Sequence, residues 1–460
     1  MRLTRIELDG VGPFENAVFD FPPPDPQQTG ELVLFEGGNG SGKTTLLMAI
    51  AMALRPDGNL LSAPFFWSKR RRQPAFVESL AIEHNGETGN FRRDQYGTHS
   101  PLPGLVPRLV ERFQQVRVNR TGGPVPWGAY SFASHGHTPV VQAQGPGPLK
   151  PDYLLRALRF GSGSPQETQQ EDLAVLGYVQ LGPPLGQLLS NFDYERTRAI
   201  AYRSRGGSEA KKGELEAAAQ SYEDAIARME RALSDVLDRQ VKFDFRLGEP
   251  APRILFDGEE LPLDLLGEGL RSTFSWLSDL LIQLLLTPWE DKTRSPLDQD
   301  FWLLLDEVDQ SLHPQLQMRL FPMLRMLFKN ARIYATTHSP FVVASAGQGH
   351  VFSIAQDRAS RRVKGPQRAI KLEPGQTLER IVSEVFKSPS LFIDRETQQH
   401  LDRHEQAIRA LRRSQDIDWP AFLADRDWLW QRTEEVRTVA AMREVPVRDR
   451  IAAKLRESAQ

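Results

Sequence analysis

The sequence predicts an α/β fold: a mixed sheet opening on antiparallel strands, an inserted helical lobe and a C-terminal helical tail. Three observations predict it. The glycine loop Gly37-Gly38-Asn39-Gly40-Ser41-Gly42-Lys43-Thr44 lies between the apolar run Leu32-Val33-Leu34-Phe35 and the helically spaced Leu46, Leu47, Ile50 and Leu54. Two further apolar runs, Phe301-Trp302-Leu303-Leu304-Leu305 and Ile333-Tyr334-Ala335, end in polar groups, as buried strands do when they deliver side chains to a site. Residues 2–8 and 17–21 alternate apolar and polar around a turn at Gly12-Pro13, the pattern of half-buried strands.

In chain order, residues 1–195 form a first zone. Residues 2–8 read as an edge-like strand, and residues 77–83 and 89–93 as a hairpin around Asn85-Gly86, a turn dipeptide that tolerates positive φ. The Gly/Pro-rich segment 122–151 predicts a long surface loop, and Gly161-Ser162-Gly163-Ser164-Pro165 a second, mobile one. Residues 196–240 are helical: Leu215, Ala219, Tyr222, Ile226, Met229 and Leu233 recur every three or four positions. That is too short for an extended coiled-coil arm, and Lys211-Lys212 reads as solvated surface. Strands resume at 241–245, and the zone 241–374 carries the later motifs. Residues 375–460 read as a charged helical tail with Ile381, Val385, Leu401, Ile408 and Leu411 on its apolar faces. Trp419-Pro420 punctuates the tail, and Trp428 and Trp430 are expected to dock it onto the main body.

Composition narrows the class. The chain has 460 residues, enough for one large core or two ordinary ones. With no cysteine it has no disulfide, zinc-thiolate site or cysteine nucleophile. Its apolar stretches, the longest around 280–286, fall short of the roughly 20 residues of a membrane helix. Met1-Arg2-Leu3-Thr4 runs straight into a strand pattern, unlike a secretory leader. A soluble cytoplasmic protein without membrane contact is expected. The net charge of −2 gives no whole-chain signal for nucleic acid, so any such surface is local.

The glycine loop fits Gly-x-x-x-x-Gly-Lys-[Ser/Thr] in strand–loop–helix context. Its glycines let backbone N–H groups turn toward phosphate oxygens, and the helix opening at Thr44 and Thr45 adds partial positive charge there. Lys43 brings a point charge to the β/γ-phosphates, and Thr44 a hydroxyl to Mg²⁺. The loop therefore reads as a nucleoside triphosphate site rather than a chance glycine-rich turn. Asp306-Glu307 closes the second apolar run. Alone, such a pair is more often a solvated turn. Beside a phosphate loop, Asp306 is a metal ligand acting through water and Glu307 a base that polarises the attacking water. His338, ending the third run, is placed to sense the γ-phosphate. Gly267-Glu268-Gly269 opens an apolar helix over 274–286, a geometry suited to anions, with an ordinary N-cap as its bland reading.

In this order the motifs resemble those of ABC-type ATPases, in the soluble branch of RecF, Rad50, SMC and overcoming-lysogenization-defect (OLD) proteins. Ile6-Glu7-Leu8, Gly12-Pro13-Phe14-Glu15-Asn16 and Phe19-Asp20-Phe21 carry the resemblance, as do Ser311-Leu312-His313-Pro314 and Thr337-His338-Ser339-Pro340. It covers residues 1–55 and 240–355 well and the intervening lobe in outline. The resemblance implies an ABC-type P-loop NTPase core that takes ATP and Mg²⁺. It also implies a homodimer or higher oligomer, with each ATP between one subunit's phosphate loop and another's signature turn. Leu266-Gly267-Glu268-Gly269-Leu270 fills that signature slot, but Gly267 replaces the usual serine, removing one γ-phosphate hydrogen bond and implying either slow turnover or a mainly sensing role. Gln310-Ser311-Leu312-His313 falls at the family's D-loop. Gln180 is a candidate for the lobe-linking glutamine that reaches Mg²⁺, with Gln187 and the Tyr130 segment competing.

What the ATPase drives is less legible. Asp357, Glu373, Glu379 and Glu384 lack the glutamate plus Asp-x-Asp arrangement of OLD-type nucleases, and His135-Gly136-His137 reads as loop polarity. The chain looks like the regulatory ATPases of bacterial anti-phage systems, which work with a separate nuclease or toxin. An OLD- or RecF-like repair ATPase and a stand-alone nuclease with a divergent site are the alternatives, and a transporter ATPase is disfavoured. Phe65-Phe66-Trp67-Ser68-Lys69-Arg70-Arg71-Arg72 joins aromatics to cations, which suits DNA; a flexible basic loop or a contact for an acidic partner fits equally.

Overall fold

The computed structural model describes residues 1–26, 29–54, 76–94, 97–99, 104–119, 123–132, 209–245, 253–260, 287–307, 309–310, 312–357, 360–386 and 394–458, with isolated positions at 197 and between 269 and 284. They fall into two compact units, Met1–Phe386 and Lys387–Gln460.

The larger unit opens with β1 (Arg2–Asp9), β2 (Phe14–Asp20), β3 (Glu31–Glu36), α1 (Lys43–Ala53), β4 (Phe76–His84), β5 (Glu87–Asp94) and β6 (Gly97–His99). Next come α2 (Leu105–Asn119), β7 (Gly128–Phe132), the long α3 (Glu209–Leu237), β8 (Val241–Asp244), β9 (Arg253–Phe256) and β10 (Glu259–Glu260). Then follow β11 (Phe301–Leu305), α4 (Pro314–Leu327), β12 (Arg332–Thr337), α5 (Pro340–Ser345) and β13 (Gly349–Ser353). Strands β14 (Val363–Gln367) and β15 (Ala369–Leu372) and helix α6 (Leu378–Glu384) complete it.

One sheet has the order β14-β2-β1-β4-β5-β6, antiparallel except where β14 runs with β2. The second has the order β15-β13-β3-β12-β11-β7, parallel except at β15. A small third sheet joins β8, β9 and β10. The mixed α/β architecture with antiparallel N-terminal strands is as the sequence predicts.

The two large sheets share one core. Phe19 of β2 and Phe21 just after it meet Phe352 of the second sheet at centroid distances of 5.5 and 5.3 Å, and Phe35 stacks on Phe352 at 5.8 Å. Each such ring, fully removed from water, contributes roughly 1.5–3 kcal/mol. Helix α1 is apolar on every side and touches strands of both sheets, with Leu46, Leu47, Ile50 and Leu54 all buried. Strand β11 is buried along its whole length. Trp302 donates its indole N–H to the Met1 carbonyl at 2.8 Å and meets Trp127 and Tyr334 edge-on. Helix α3 runs 29 residues, about 44 Å at 1.5 Å per residue. It inserts Ala225, Ile226, Met229 and Leu233 into the same core and ties down through Arg228, whose guanidinium grips both carboxylate oxygens of Asp298 at 2.6 and 2.8 Å.

Three expectations change. β1 is not an edge strand, because β2 and β4 bond to its two sides. Alternation reports which face is buried, not whether both edges are hydrogen-bonded. The segment 122–151 is not loop throughout: Gly128–Phe132 forms β7, buried beside β11, a run too short to show between its glycines and prolines. β14 and β15 were not foreseen, since Val363-Lys364-Gly365-Pro366-Gln367 lacks apolar alternation and Pro366 suits the outermost strand it occupies.

The smaller unit holds α7 (Arg395–Arg412), α8 (Trp419–Trp430), α9 (Glu434–Glu444) and α10 (Arg448–Ser458). Trp428 and Trp430, expected to dock the tail, have partners inside it. Trp428 stacks on His400 at 3.9 Å, with the Arg432 guanidinium 3.6 Å from its ring, and Trp430 lies under Arg426. No helix among the described residues is long and apolar enough to cross a membrane.

Candidate nucleotide-binding site

Strands β3, β12 and β11 lie side by side and parallel, so their C-terminal ends open on one edge of the sheet. Glu36 is level with Thr337, and Leu305 with Ala335. The glycine loop, Asp306-Glu307 and His338 therefore leave the sheet together, at the strand ends where α/β sheets take ligands.

The loop is held by close backbone approach. Gly42 has φ +99°, and a Cβ there would fall 2.5 Å from Pro13 Cγ and 2.9 Å from the Phe14 ring. A Cβ on Gly37 would fall 2.6 Å from the Ile354 carbonyl oxygen. These contacts explain why Gly12-Pro13-Phe14 and the end of β13 border the loop. Asn39 and Gly40 form its exposed crest, where Gln356 donates to the Gly40 carbonyl at 2.6 Å. Leu46 N–H bonds the Gly42 carbonyl at 2.8 Å, so α1 begins as the loop ends, with Thr44 and Thr45 in its first turn.

Lys43 is buried and folds back to donate to the Gly37 and Gly38 carbonyls at 2.8 and 3.3 Å. Desolvation lowers its pKa, against the pull of Glu307, Glu36, Asp306 and Asp309. The Thr44 hydroxyl reaches both oxygens of Asp306, at 3.0 and 2.8 Å. Thr336, fully buried on β12, donates from Oγ1 to Asp306 Oδ1 at 2.6 Å. Thr336 Oγ1 also accepts the Glu307 N–H at 2.7 Å, and Glu307 has φ +47°, a conformation uncommon for a side-chain-bearing residue. Burial raises the Asp306 carboxyl above its ordinary value, while hydrogen bonds from Thr336 and Thr44 oppose the shift.

His338 sits at the same edge. Its backbone N–H donates toward both Asp309 carboxylate oxygens, at 3.4 and 3.2 Å. Burial, then the charge of Lys43, lowers its pKa against the nearby carboxylates, so it favours the neutral imidazole at pH 7. Ser339 caps α5 and donates to Gln317 Oε1 at 2.5 Å, while Gln317 Nε2 holds the carbonyls of Asp309 and Leu312 at 3.1 and 2.9 Å. The turn after Glu307 is thus clamped to His338 and Ser339, just past the end of β12.

These groups suit a phosphate chain and a divalent cation. Ser41 Oγ is buried without a hydrogen-bond partner, and a Cβ on Gly38 or Gly40 would meet nothing within 4 Å. A hydroxyl beside a carboxylate at the start of a helix is a hard-oxygen pair of the kind that holds Mg²⁺.

Of the expected site residues, the structure brings together the loop, Asp306, Glu307 and His338. Gly269 is buried and helical, its carbonyl accepting the Thr273 hydroxyl at 2.9 Å. Gly267, Glu268, Gln180, Gln187, the 65–72 patch and His135-Gly136-His137 lie outside the described residues. The sequence reading missed Thr336, Asp309, Gln317 and Gln356. For Thr336 the signal was present: a hydroxyl ending an otherwise apolar strand wants a buried partner.

The strand–loop–helix of the glycine loop and the acidic strand end bonded beside it have the arrangement of a P-loop nucleotide-binding domain. Residues 201–344 match a family model described as "AAA domain, putative AbiEii toxin, Type IV TA system", and residues 5–91 match an AAA domain model. Among curated proteins, the chain is 31% identical over 106 residues to an Escherichia coli protein named Retron Ec83 probable ATPase, covering 23% of this chain and 19% of that protein. It is 24% identical over 156 residues to Septu protein PtuA of Bacillus thuringiensis, covering 33% and 39%. The matches thus span well under half the length of either relative. Among solved structures, the SMC head domain from Thermotoga maritima is 14% identical, covering 81% of this chain and 100% of that one, with a TM-score of 0.39. A RecF structure is 13% identical, covering 79% and 97%, with a TM-score of 0.35.

Proposed function

We propose that this chain binds ATP with Mg²⁺, hydrolyses it, and uses the cycle to open and close a pair of copies that regulates a separate effector. The observation that carries the reading is the bonded series Thr44–Asp306–Thr336–Glu307 beside a buried lysine at the mouth of a glycine loop.

Lys43 exchanges its two loop carbonyls for phosphate oxygens, and Ser41 and the helix N-terminus supply further donors. Thr44 and Asp306 would hold the metal, with Gln180 as a further ligand, and Mg²⁺ would supply charge neutralisation for the phosphate chain. Glu307 accepts a proton from the attacking water, and neutral His338 donates to the γ-phosphate. The second copy contributes Gly267, Glu268 and Gly269 through backbone N–H groups. Gly267 brings no hydroxyl, which makes turnover slow.

Retron and Septu relatives support a role in anti-phage defence, with a nuclease or toxin as the effector. DNA contact through Lys69-Arg70-Arg71-Arg72 is part of the same reading. Lys43→Ala is expected to abolish nucleotide binding. Glu307→Gln is expected to keep it while lowering hydrolysis by about 10²–10⁴-fold, measured by phosphate release and by filter retention of labelled ATP. Wild-type rates in the glutamine variant would remove Glu307 as the base.

A further inference from the structure

We infer that Thr336 is a positioning residue, one hydroxyl that sets both the metal-holding face of Asp306 and the backbone aim of Glu307; this rests on the Mg²⁺–nucleotide reading above. Thr336 stands two residues before His338 on β12, between β3 and β11, and its side chain is fully buried. A hydroxyl carries one proton. Because the Glu307 N–H can only donate, that proton must point at Asp306 Oδ1, 2.6 Å away, while the oxygen's lone pair takes the amide at 2.7 Å. The rotor is therefore locked from both sides.

Two consequences follow from the lock. Thr336 holds Asp306 Oδ1 from inside the sheet at 2.6 Å, while Thr44 spans Oδ1 and Oδ2 from the helix side at 3.0 and 2.8 Å, the pair that would meet an incoming cation. Glu307, at φ +47°, has its peptide anchored to the same atom, so the base cannot relax without disturbing the metal ligand. Outer groups of this kind orient the ligands of a metal site, and their loss typically costs 10–100-fold in affinity or activity.

The test uses the full chain with Thr336→Val, which keeps the shape and removes the hydroxyl, Thr336→Ala as a second hydroxyl-free variant, and Thr336→Ser as the rescue. Affinity for a fluorescent non-hydrolysable ATP analogue is measured across a Mg²⁺ titration, alongside kcat, KM and a melting curve. Thr336→Val is expected to raise the Mg²⁺ midpoint by about 10-fold and to lower kcat by about 10–100-fold, with a smaller change in KM. Thr336→Ala is expected to do the same, and Thr336→Ser to return the Mg²⁺ midpoint and kcat to within about 3-fold of wild type. A lower melting temperature with an unmoved Mg²⁺ midpoint in a nucleotide-binding wild type would overturn the positioning role, leaving only packing. A serine variant as impaired as valine would overturn it too. A folded wild type that binds no analogue at any Mg²⁺ concentration would instead sink the nucleotide reading, and the inference with it.

Discussion

Asp306 shows how this site trades stability for function at the scale of one residue. Burial is the largest influence on its carboxyl and raises the pKa above 3.8, so the folded state holds the proton more tightly than the unfolded chain does. A raised carboxyl contributes stability below its unfolded pKa, and that contribution is lost as pH rises through the folded value. At neutral pH the ionised Asp306 therefore costs stability, which a cation bound there would offset. Asp306→Asn is expected to raise the melting temperature in Mg²⁺-free buffer at pH 7 by about 1–3 °C, with the gain fading near pH 4 and the Mg²⁺–nucleotide stabilisation gone. A lower melting temperature at pH 7 would contradict this account of the desolvated carboxylate.

At the scale of elements, the phosphate loop is shaped as much by its neighbours as by its own glycines. Pro13, in the turn between β1 and β2, and Phe14, the first residue of β2, close against Gly42 and leave no room for a Cβ, whereas Gly38 faces open space. Gly42→Ala combines that clash with an unfavourable φ and is expected to cost roughly 1–3 kcal/mol and to abolish nucleotide binding. Gly38→Ala is expected to leave folding stability within about 0.5 kcal/mol, both read by denaturant melts. Equal losses in the two variants would show that the β1–β2 turn does not set the loop.

That contrast marks where sequence was informative. Gly37 to Thr44, Asp306-Glu307 and the ends of β3, β11 and β12 were legible because buried parallel strands read as unbroken apolar runs and a phosphate loop has fixed spacing. The partners that hold them were not. Pro13 against Gly42, Thr336 against Asp306 and Gln317 against Asp309 are tertiary pairings, separated along the chain by 8 to 30 residues and set by which elements become neighbours, and a linear pattern does not encode them. β7 and β14 escaped for a related reason. Each owes its place to a strand partner more than to local alternation.

At the scale of the whole molecule, the larger unit gathers one face of the site from its own residues: the glycine loop, the acid pair and His338. In the proposed reading Gly267-Glu268-Gly269 would come from a second copy, which would make ATP the link between hydrolysis and assembly. Light scattering of the Glu307→Gln chain with and without Mg²⁺–ATP is the most direct test of that claim. The account predicts a shift from the single-chain mass of 52.0 kDa to a closed assembly of at least twice that mass on adding ATP, and no shift when Lys43→Ala is added. A glutamine variant that holds ATP yet stays at 52.0 kDa would contradict it.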